Sequence, residues 1–319
     1  MITVLCGGVG AARFLRALAL VEPADAAVGI VNTGDDTILH GLRISPDLDT
    51  ITYTLAAAID PERGWGLRDE TWRAMAALQR YADVRPATSV AAPTWFNLGD
   101  QDLATHFYRT ARLAEGASLT TVTAEISAAW QLGQRLLPMT DEPVSTIVTL
   151  ASDGSDVSFQ EYFVKLQHGV PVSNVRFVGA ATARLTPAAA AAITLADTVV
   201  IAPSNPLVSI APIRALPGTD ELLTARRESV VAISPIVGGQ ALKGPADHML
   251  TELGHEPTVV GVARIYASIA RALVIDPLDA HLADAVAAEG IEPIIVASVM
   301  SSPEVSAELV RRTLAASRP

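Results

Sequence analysis

Residues 2–5 form a short apolar run, followed by Gly7-Gly8-Val9-Gly10 and then by apolar positions at helical spacing over 11–21. In order these read as a strand, a glycine turn and a helix. A second apolar run at 28–31 predicts another buried strand. Over 32–49 the pattern breaks, because Gly, Asp and Pro recur too often for a regular element. Loops of that length in compact domains are uncommon and often functional. From 50 to about 139 helical spacing takes over, with helices predicted over 70–81, 102–114 and 119–130 and Ser118 as N-cap of the last. No strong strand is evident within that region.

Strand patterns then return. The runs at 145–150 and 157–160 flank an Asp153-Gly154 turn and predict a hairpin, and 175–178 is a further short run. Strands are expected at 198–202, 230–233, 272–275 and 294–296, with helices between them such as 246–253 and 280–289. The Ala-rich stretch 188–192 reads as a helix interior. The fold class is therefore α/β: a Rossmann-like three-layer core with a mostly parallel sheet and a helical insertion. Residues 1–50 and 140–319 form the core, and 51–139 form the insertion.

Composition narrows the chemistry. The chain has 319 residues, half of them hydrophobic but only 5% aromatic, which suits aliphatic helices packed on a parallel sheet. With 23 basic and 34 acidic side chains the net charge is −11. That excludes a general attraction to nucleic acid or to an anionic membrane surface. A phosphorylated ligand would need local help from backbone amides, a few cations or a metal. Cys6 is the single cysteine, so no intramolecular disulfide and no cysteine zinc site are expected, and its place in an apolar run predicts a buried small hydrophobe. The first residues lack a basic segment before their apolar stretch, and no run of 18 apolar residues occurs. A cytoplasmic protein without a signal peptide or membrane span is expected.

Four segments carry candidate chemistry. The glycine turn 7–10 lets backbone approach a ligand, and the helix after it offers free amides and a positive dipole end to phosphate. It is not a dinucleotide fingerprint, since Arg13 holds the third glycine position and Asn32 the place of the ribose-binding acid, and it lacks the Gly-Lys-Ser/Thr of a P-loop. Asp35, Asp36, Asp47 and Asp49 fall within fifteen residues at the carboxyl end of the second strand. Clustered acids repel unless compensated, and a hard divalent cation is the natural compensation. The competing reading is local capping, with Asp49 or Thr50 starting the next helix. Ala202-Pro203-Ser204-Asn205-Pro206 and Ser234-Pro235-Ile236-Val237-Gly238-Gly239 each follow a strand and suit phosphate or base contacts, with Lys243 as a counter-charge or a solvated loop lysine. Trp95-Phe96-Asn97 ahead of Asp100, Asp102 and His106 suits either a flat-ring pocket or a helix cap, and the cap is the preferred reading from these residues alone. No nucleophile signature and no histidine metal spacing is present.

Taken in order, these motifs resemble the 2-phospho-L-lactate transferase family of coenzyme F420 biosynthesis over essentially the whole chain. The resemblance rests on GGVGAARF at 7–14, NTGDD at 32–36, SPDLDT at 45–50, GWG at 64–66 and LGDQDLATH at 98–106. It continues in LLPMTDEPVST at 136–146, FQEYFV at 159–164, APSNPLVSI at 202–210 and SPIVGG at 234–239. Gln101 departs from the Arg usual in relatives. The GGVGAARF form is most similar to the actinobacterial phosphoenolpyruvate transferase branch.

The resemblance implies a Rossmann-like fold, an insertion contributing to the acceptor pocket, a homodimer and Mg²⁺ dependence. The implied acceptor is Fo, 7,8-didemethyl-8-hydroxy-5-deazariboflavin. The implied donor is a guanosine diphosphate ester of a three-carbon acid, enolpyruvyl before lactyl or glyceryl. The Fo hydroxyl would attack the distal phosphorus, giving a phosphodiester and GMP. Family positions map acceptor contacts onto Asp49 and Asn97, and metal ligands onto Asp35, Asp36 and Asp49. The guanosine diphosphate part maps onto Gly8, Gly10, Ser204, Asn205, Ser234 and Gly238, with Asn32 and Lys243 completing the substrate set. Asp36 and Asp49 are the implied catalytic acids, Asp49 orienting or deprotonating the hydroxyl. Two other classes compete: a non-enzymatic nucleotide-sugar-binding regulator of the wider superfamily, and an NAD-dependent oxidoreductase. The SPDLDT, GWG and LGDQDLATH segments speak against the first, and Arg13 and Asn32 against the second.

Overall fold

Short apolar runs become seven strands: β1 (Ile2–Cys6), β2 (Ala27–Val31), β3 (Arg135–Pro138), β4 (Thr198–Ile201), β5 (Val230–Ile233), β6 (Ala272–Ile275) and β7 (Glu292–Ile295). In the computed structural model, which describes residues 1–89 and 91–317, they form one sheet in the order β3-β2-β1-β4-β5-β6-β7. Every pairing is parallel, with Val4 opposite both Gly29 and Val200. β1, β2, β4, β5 and β6 are buried along their whole length. They read as unbroken apolar runs because helices cover both faces.

Alternate side chains divide the core into two layers. Leu5, Ile30, Ile201, Ala232 and Leu273 pack on one side against the helices Pro187–Leu195 and Val259–Tyr266. Val4, Cys6, Val31, Val200 and Val274 pack on the other. There they meet Phe14 and Leu15 of helix α1 (Gly8–Leu18), Leu48 and Ile51 of helix α2 (Pro46–Leu55), and Leu309 and Val310 of the helix Pro303–Ala316. Cys6 is fully buried, and burial pushes its thiol well above the ordinary range. The order reverses at β1, which leaves a crevice above the carboxyl ends of β1 and β4, where open α/β sheets bind ligands.

Several expectations are corrected. The 32–49 stretch is not structureless. Thr37–Leu39 and Leu42–Ile44 pair as a hairpin across His40 and Gly41, both at positive φ, and α2 already begins at Pro46. Strands of three residues are too short to show a period. The region 50–139 ends in a strand, β3, at the edge of the main sheet. Its Pro138 and exposed Arg135 hid it, and an edge place is where a strand tolerates proline. The core therefore resumes at residue 135 rather than 140. Helix α1 starts at Gly8 rather than at 11, so the glycine turn is itself the first helical turn.

The helical region supplies α3 (Arg73–Ala82), α4 (Asp102–Ala114) and α5 (Leu119–Ala129), whose N-cap Ser118 accepts from Thr121 N at 3.1 Å. The hairpin at Asp153-Gly154 joins Ser145–Leu150 to Asp156–Ser158, and Val172–Val178 adds a third antiparallel strand. Among the described residues no helix is long and apolar enough to cross a membrane.

Candidate functional site at the sheet switch point

Two loops meet at the crevice. Gly7 N lies 3.3 Å from Ser204 Oγ, and that hydroxyl donates back to Gly7 O at 2.7 Å. A side-chain carbon at Gly10 would run into the Pro203 carbonyl oxygen. The glycines thus let the start of α1 press against the loop after β4. Asn205 spends its carbonyl oxygen on Leu207 N at 2.9 Å, as the cap of the helical turn Pro206–Ile210.

A cleft of about 690 Å³ opens above these loops. Its floor is Gly8, Gly10, Ser204, Asn205 and Ser234. Arg13, Arg63 and Lys243 supply cations, and Asp35 and Asp47 supply carboxylates. Trp65, Trp95, Phe96, Phe159 and Phe163 supply aromatic surface, with Asn97 beside them. Phe159 and Phe163 stack at 5.6 Å between ring centroids. On a chain of net charge −11, three cations in one cleft are the local counter-charge that an anionic ligand requires.

The acid loop divides. Asp47 lies in the first turn of α2 and faces the cleft, its Oδ2 accepting from Asn32 Nδ2 at 3.0 Å. Asn32 is fully buried behind it and outside the cleft lining, with its Oδ1 on Gly34 N at 2.8 Å, so it orients Asp47. Asp35 is buried and its Oδ1 has no hydrogen-bond partner. Burial, and then the neighbouring Asp47 charge, hold its carboxyl well above the usual carboxylate range. Burial likewise pushes Asp47 up to about 6. Two desolvated carboxylates facing one cleft, one with an orphaned oxygen, fit a hard divalent cation shared with a phosphate.

Asp36 sits outside the cleft. It lines a second cavity of about 530 Å³, takes a hydrogen bond from Ser45 Oγ at 2.7 Å, and is pushed by burial up to about 8. Asp49, expected as metal ligand, acceptor contact and catalytic acid, also lies outside the cleft lining: Arg109 donates to both its oxygens. The expected metal trio Asp35, Asp36 and Asp49 does not converge. Among the described residues the titratable group whose ligand atoms gather within 4.8 Å is Asp49, Asp102 and His106. Neither Asp49 nor Thr50 caps α2, since both lie inside it. Gly238 also lies outside the cleft lining. With Gly239 it forms the positive-φ turn between Ile236–Val237 and Gln240–Ala241, and its N–H donates to Asp279 at 2.9 Å.

The cap reading of the 95–106 segment holds in altered form. Asp100 accepts from Arg73 N at 3.0 Å and Ala74 N at 3.1 Å, so it caps α3 and not its own helix. Behind it lies Glu70, a residue that nothing in the sequence pattern marked. Its buried Oε1 accepts from Leu67 N at 2.9 Å, and a side chain at Gly66 or Gly99 would collide with its carboxylate. The two glycine segments close around Glu70 and thereby present Trp65 and Asn97 to the cleft. Arg63 is held there over the rings of Trp72 at 4.6 Å and Trp65 at 5.3 Å. Gln101 is exposed, its amide 3.5 Å from Asp69 O.

Comparison with known proteins places this geometry. A family model described as 2-phospho-L-lactate transferase CofD matches residues 2–310. The phosphoenolpyruvate transferase of Kitasatospora aureofaciens is 42% identical over 318 residues, covering 98% of this chain and 97% of that protein. The protein of the same name from Mycobacterium avium is 41% identical over 332 residues, covering 97% and 96%. That from Mycobacterium tuberculosis (strain ATCC 25177 / H37Ra) is 39% identical over 327 residues, covering 97% and 96%. Among solved structures, a upf0052 family protein of Bacillus halodurans matches with a TM-score of 0.59 at 15% identity, covering 97% of this chain and 98% of that one. At that identity the likeness concerns the fold alone.

Proposed function

Because the chain belongs to the 2-phospho-L-lactate transferase CofD family, transferases of coenzyme F420 biosynthesis, we propose that it moves a phosphoenolpyruvyl group from a guanosine-diphosphate-activated donor to the ribityl hydroxyl of Fo. The products are dehydro-coenzyme F420-0 and GMP. The donor follows the naming of relatives about 40% identical as phosphoenolpyruvate transferases. The observation that carries the reading is the cleft itself, which joins a helix N-terminus, three cations, two carboxylates and a wall of aromatic rings at the switch point.

The first turn of α1 receives the diphosphate at its N-terminal, positive dipole end, and Arg13 and Lys243 offset its charge. Trp95, Phe96, Phe159 and Phe163 hold the flat deazaflavin ring, and Asn97 hydrogen-bonds its polar edge. The ribityl hydroxyl oxygen forms a bond to the phosphorus that bears the enolpyruvyl group and gives up its proton to water. The bond from that phosphorus to the bridging oxygen breaks, and its electron pair leaves with GMP. Such a transfer needs mainly alignment and charge neutralisation. Asp35 and Asp47 would hold Mg²⁺, which when bound would supply charge neutralisation for the diphosphate. The assembly is proposed to be a cytoplasmic homodimer, which sedimentation and cell fractionation test.

The deciding experiment incubates the purified protein with Fo, Mg²⁺ and each of the three guanosine diphosphate esters, with product masses read by chromatography. The expected outcome is the enolpyruvyl product with stoichiometric GMP. A dominant lactyl or glyceryl product would replace the donor, and absence of any product together with absence of Fo binding would end the reading.

A further inference from the structure

Behind the aromatic wall of the cleft, the Glu70 carboxylate lies where two segments cross just ahead of α3. Its side chain has no exposed surface. Oε1 accepts from Leu67 N at 2.9 Å, and Arg63 Nη2 stands 3.5 Å from it. Oε2 has no hydrogen-bond partner and lies against the backbone of Gly99, where a side-chain carbon would overlap it. Gly66 closes on Oε1 in the same way. Only glycine lets two stretches of backbone come this near one carboxylate. Each segment is tied down beside it: Asp60 N donates to Gly66 O at 3.1 Å, and Asp100 N to Thr71 O at 2.7 Å. Close by in sequence are cleft-lining side chains, Arg63 and Trp65 on one segment and Trp95, Phe96 and Asn97 on the other. Glu70 itself is outside the cleft lining.

A buried carboxylate is a weak source of stability, because its desolvation offsets what its partners return. An apolar side chain would fill the same seam without that cost, but it would give Leu67 N–H no partner. What the carboxylate adds is a fixed place for the turn that carries Trp65. The floor of the cleft is held separately, by the hydrogen bonds between Gly7 and Ser204. We propose that Glu70 is a positioning residue for the acceptor: by spacing the Gly66 and Gly99 backbones it sets where Trp65 and Asn97 stand relative to each other, without touching either substrate. This rests on the reading of the aromatic wall as the acceptor's site.

The test uses the full chain with Glu70→Ala, Glu70→Gln and Gly99→Ala. The readouts are the thermal midpoint, GDP affinity in Mg²⁺ by calorimetry, and kcat and KM for Fo at saturating donor. Glu70→Ala orphans Leu67 N–H and opens the seam. Its kcat/KM for Fo falls by about 100-fold, the scale of an ångström's misplacement, while its GDP affinity stays within about threefold. Glu70→Gln keeps the volume and an oxygen for Leu67 N–H, and retains kcat/KM for Fo within about tenfold. Gly99 is not among the positive-φ glycines, so a methyl there acts through contact alone. Gly99→Ala pushes the same carboxylate from the other side and reproduces the Fo defect with GDP affinity intact.

Unchanged kcat/KM for Fo in Glu70→Ala overturns the proposal. So does an equal loss of GDP affinity, which would mean that the whole cleft has loosened. A Glu70→Gln variant as poor as Glu70→Ala overturns it too, since the charge and not the spacing would then be what acts. If Glu70→Ala does not fold, Glu70→Gln and Gly99→Ala decide by the same split between Fo and GDP. Absence of Fo binding by the wild type would end the reading of the wall. Amide hydrogen exchange would then judge Glu70: Glu70→Ala must speed exchange at 64–67 and 97–100 and leave 7–10 unchanged, and equal exchange at those segments in variant and wild type overturns the positioning role.

Discussion

Replacing Asp47 with Asn should make the protein more stable and nearly inactive. The carboxyl is desolvated beside Asp35, and its pKa is raised from the ordinary 3.8 to about 6. An acid whose folded pKa is raised keeps its proton longer in the folded state than in the unfolded one. Stability therefore falls as pH climbs from about 4 to about 6, and the loss is complete above that window. The difference of about two pH units corresponds to roughly 3 kcal/mol at 1.36 kcal/mol each. Asn carries no charge to desolvate and matches the shape, but its single oxygen serves only one of the two donors the carboxylate now accepts from, the Asn32 amide and the Gly8 N–H, which offsets part of the gain. At pH 7.5 the variant should melt higher by up to about 6 °C, taking about 2 °C per kcal/mol for a chain of this size.

The assay is a set of thermal midpoints from pH 4 to 8, with and without Mg²⁺, beside turnover. The wild type should lose stability across the window and regain part of it with Mg²⁺. The variant should be flatter, ignore Mg²⁺, and turn over slower by roughly two to three orders of magnitude, as for lost electrostatic stabilisation of a transition state. A variant that melts lower than the wild type at pH 7.5, or keeps its Mg²⁺ response, would refute the assignment of Asp47 to the cation.

Three further outcomes are expected. Gly10→Ala should gain about 1 kcal/mol of helix propensity but lose about 1–3 kcal/mol to overpacking against the Pro203 carbonyl, with turnover falling, so a stabilised and fully active variant would contradict the loop contact. Gly238→Ala sits at a φ of +59 in a tight turn away from the cleft. It should lower the midpoint while leaving the donor KM within about twofold, a change under ~0.5 kcal/mol, and a large KM rise would return Gly238 to the binding site. Cys6→Ala should keep turnover within about tenfold, or ~1.4 kcal/mol of barrier, because the thiol lies in the core; a greater loss in folded protein would place chemistry at that strand end.

Much of the fold was legible because its strands are buried on both faces and so announce themselves as apolar runs. β1, β2, β4, β5 and β6 fall where those runs lie. The hairpin at 37–44 and β3 were not legible, since strands of three or four residues with polar or proline ends have no measurable period. In the site, Gly8, Gly10, Ser204, Asn205 and Ser234 line one cleft, as their place after strands implied, and Asn97 and Lys243 join them there. Glu70, Arg63 and Arg109 carried no signal, because a lone charged residue, in the loop ahead of α3 or on α4, looks like a solvated one.

What the amino-acid order determined by itself was the local chemistry: where glycine permits a sharp start to α1, where acids accumulate, and where apolar runs demand burial. Which two of four neighbouring aspartates face the cleft was decided only by the tertiary structure. On a helix, Asp47 and Asp49 are about 200° apart at 100° per residue, so one turn of α2 must send them in different directions. The direction each takes is set by Asn32 and Arg109, which approach from 15 and 60 residues away. A side chain's neighbours across such distances are a property of the packed fold, and no window of sequence contains them.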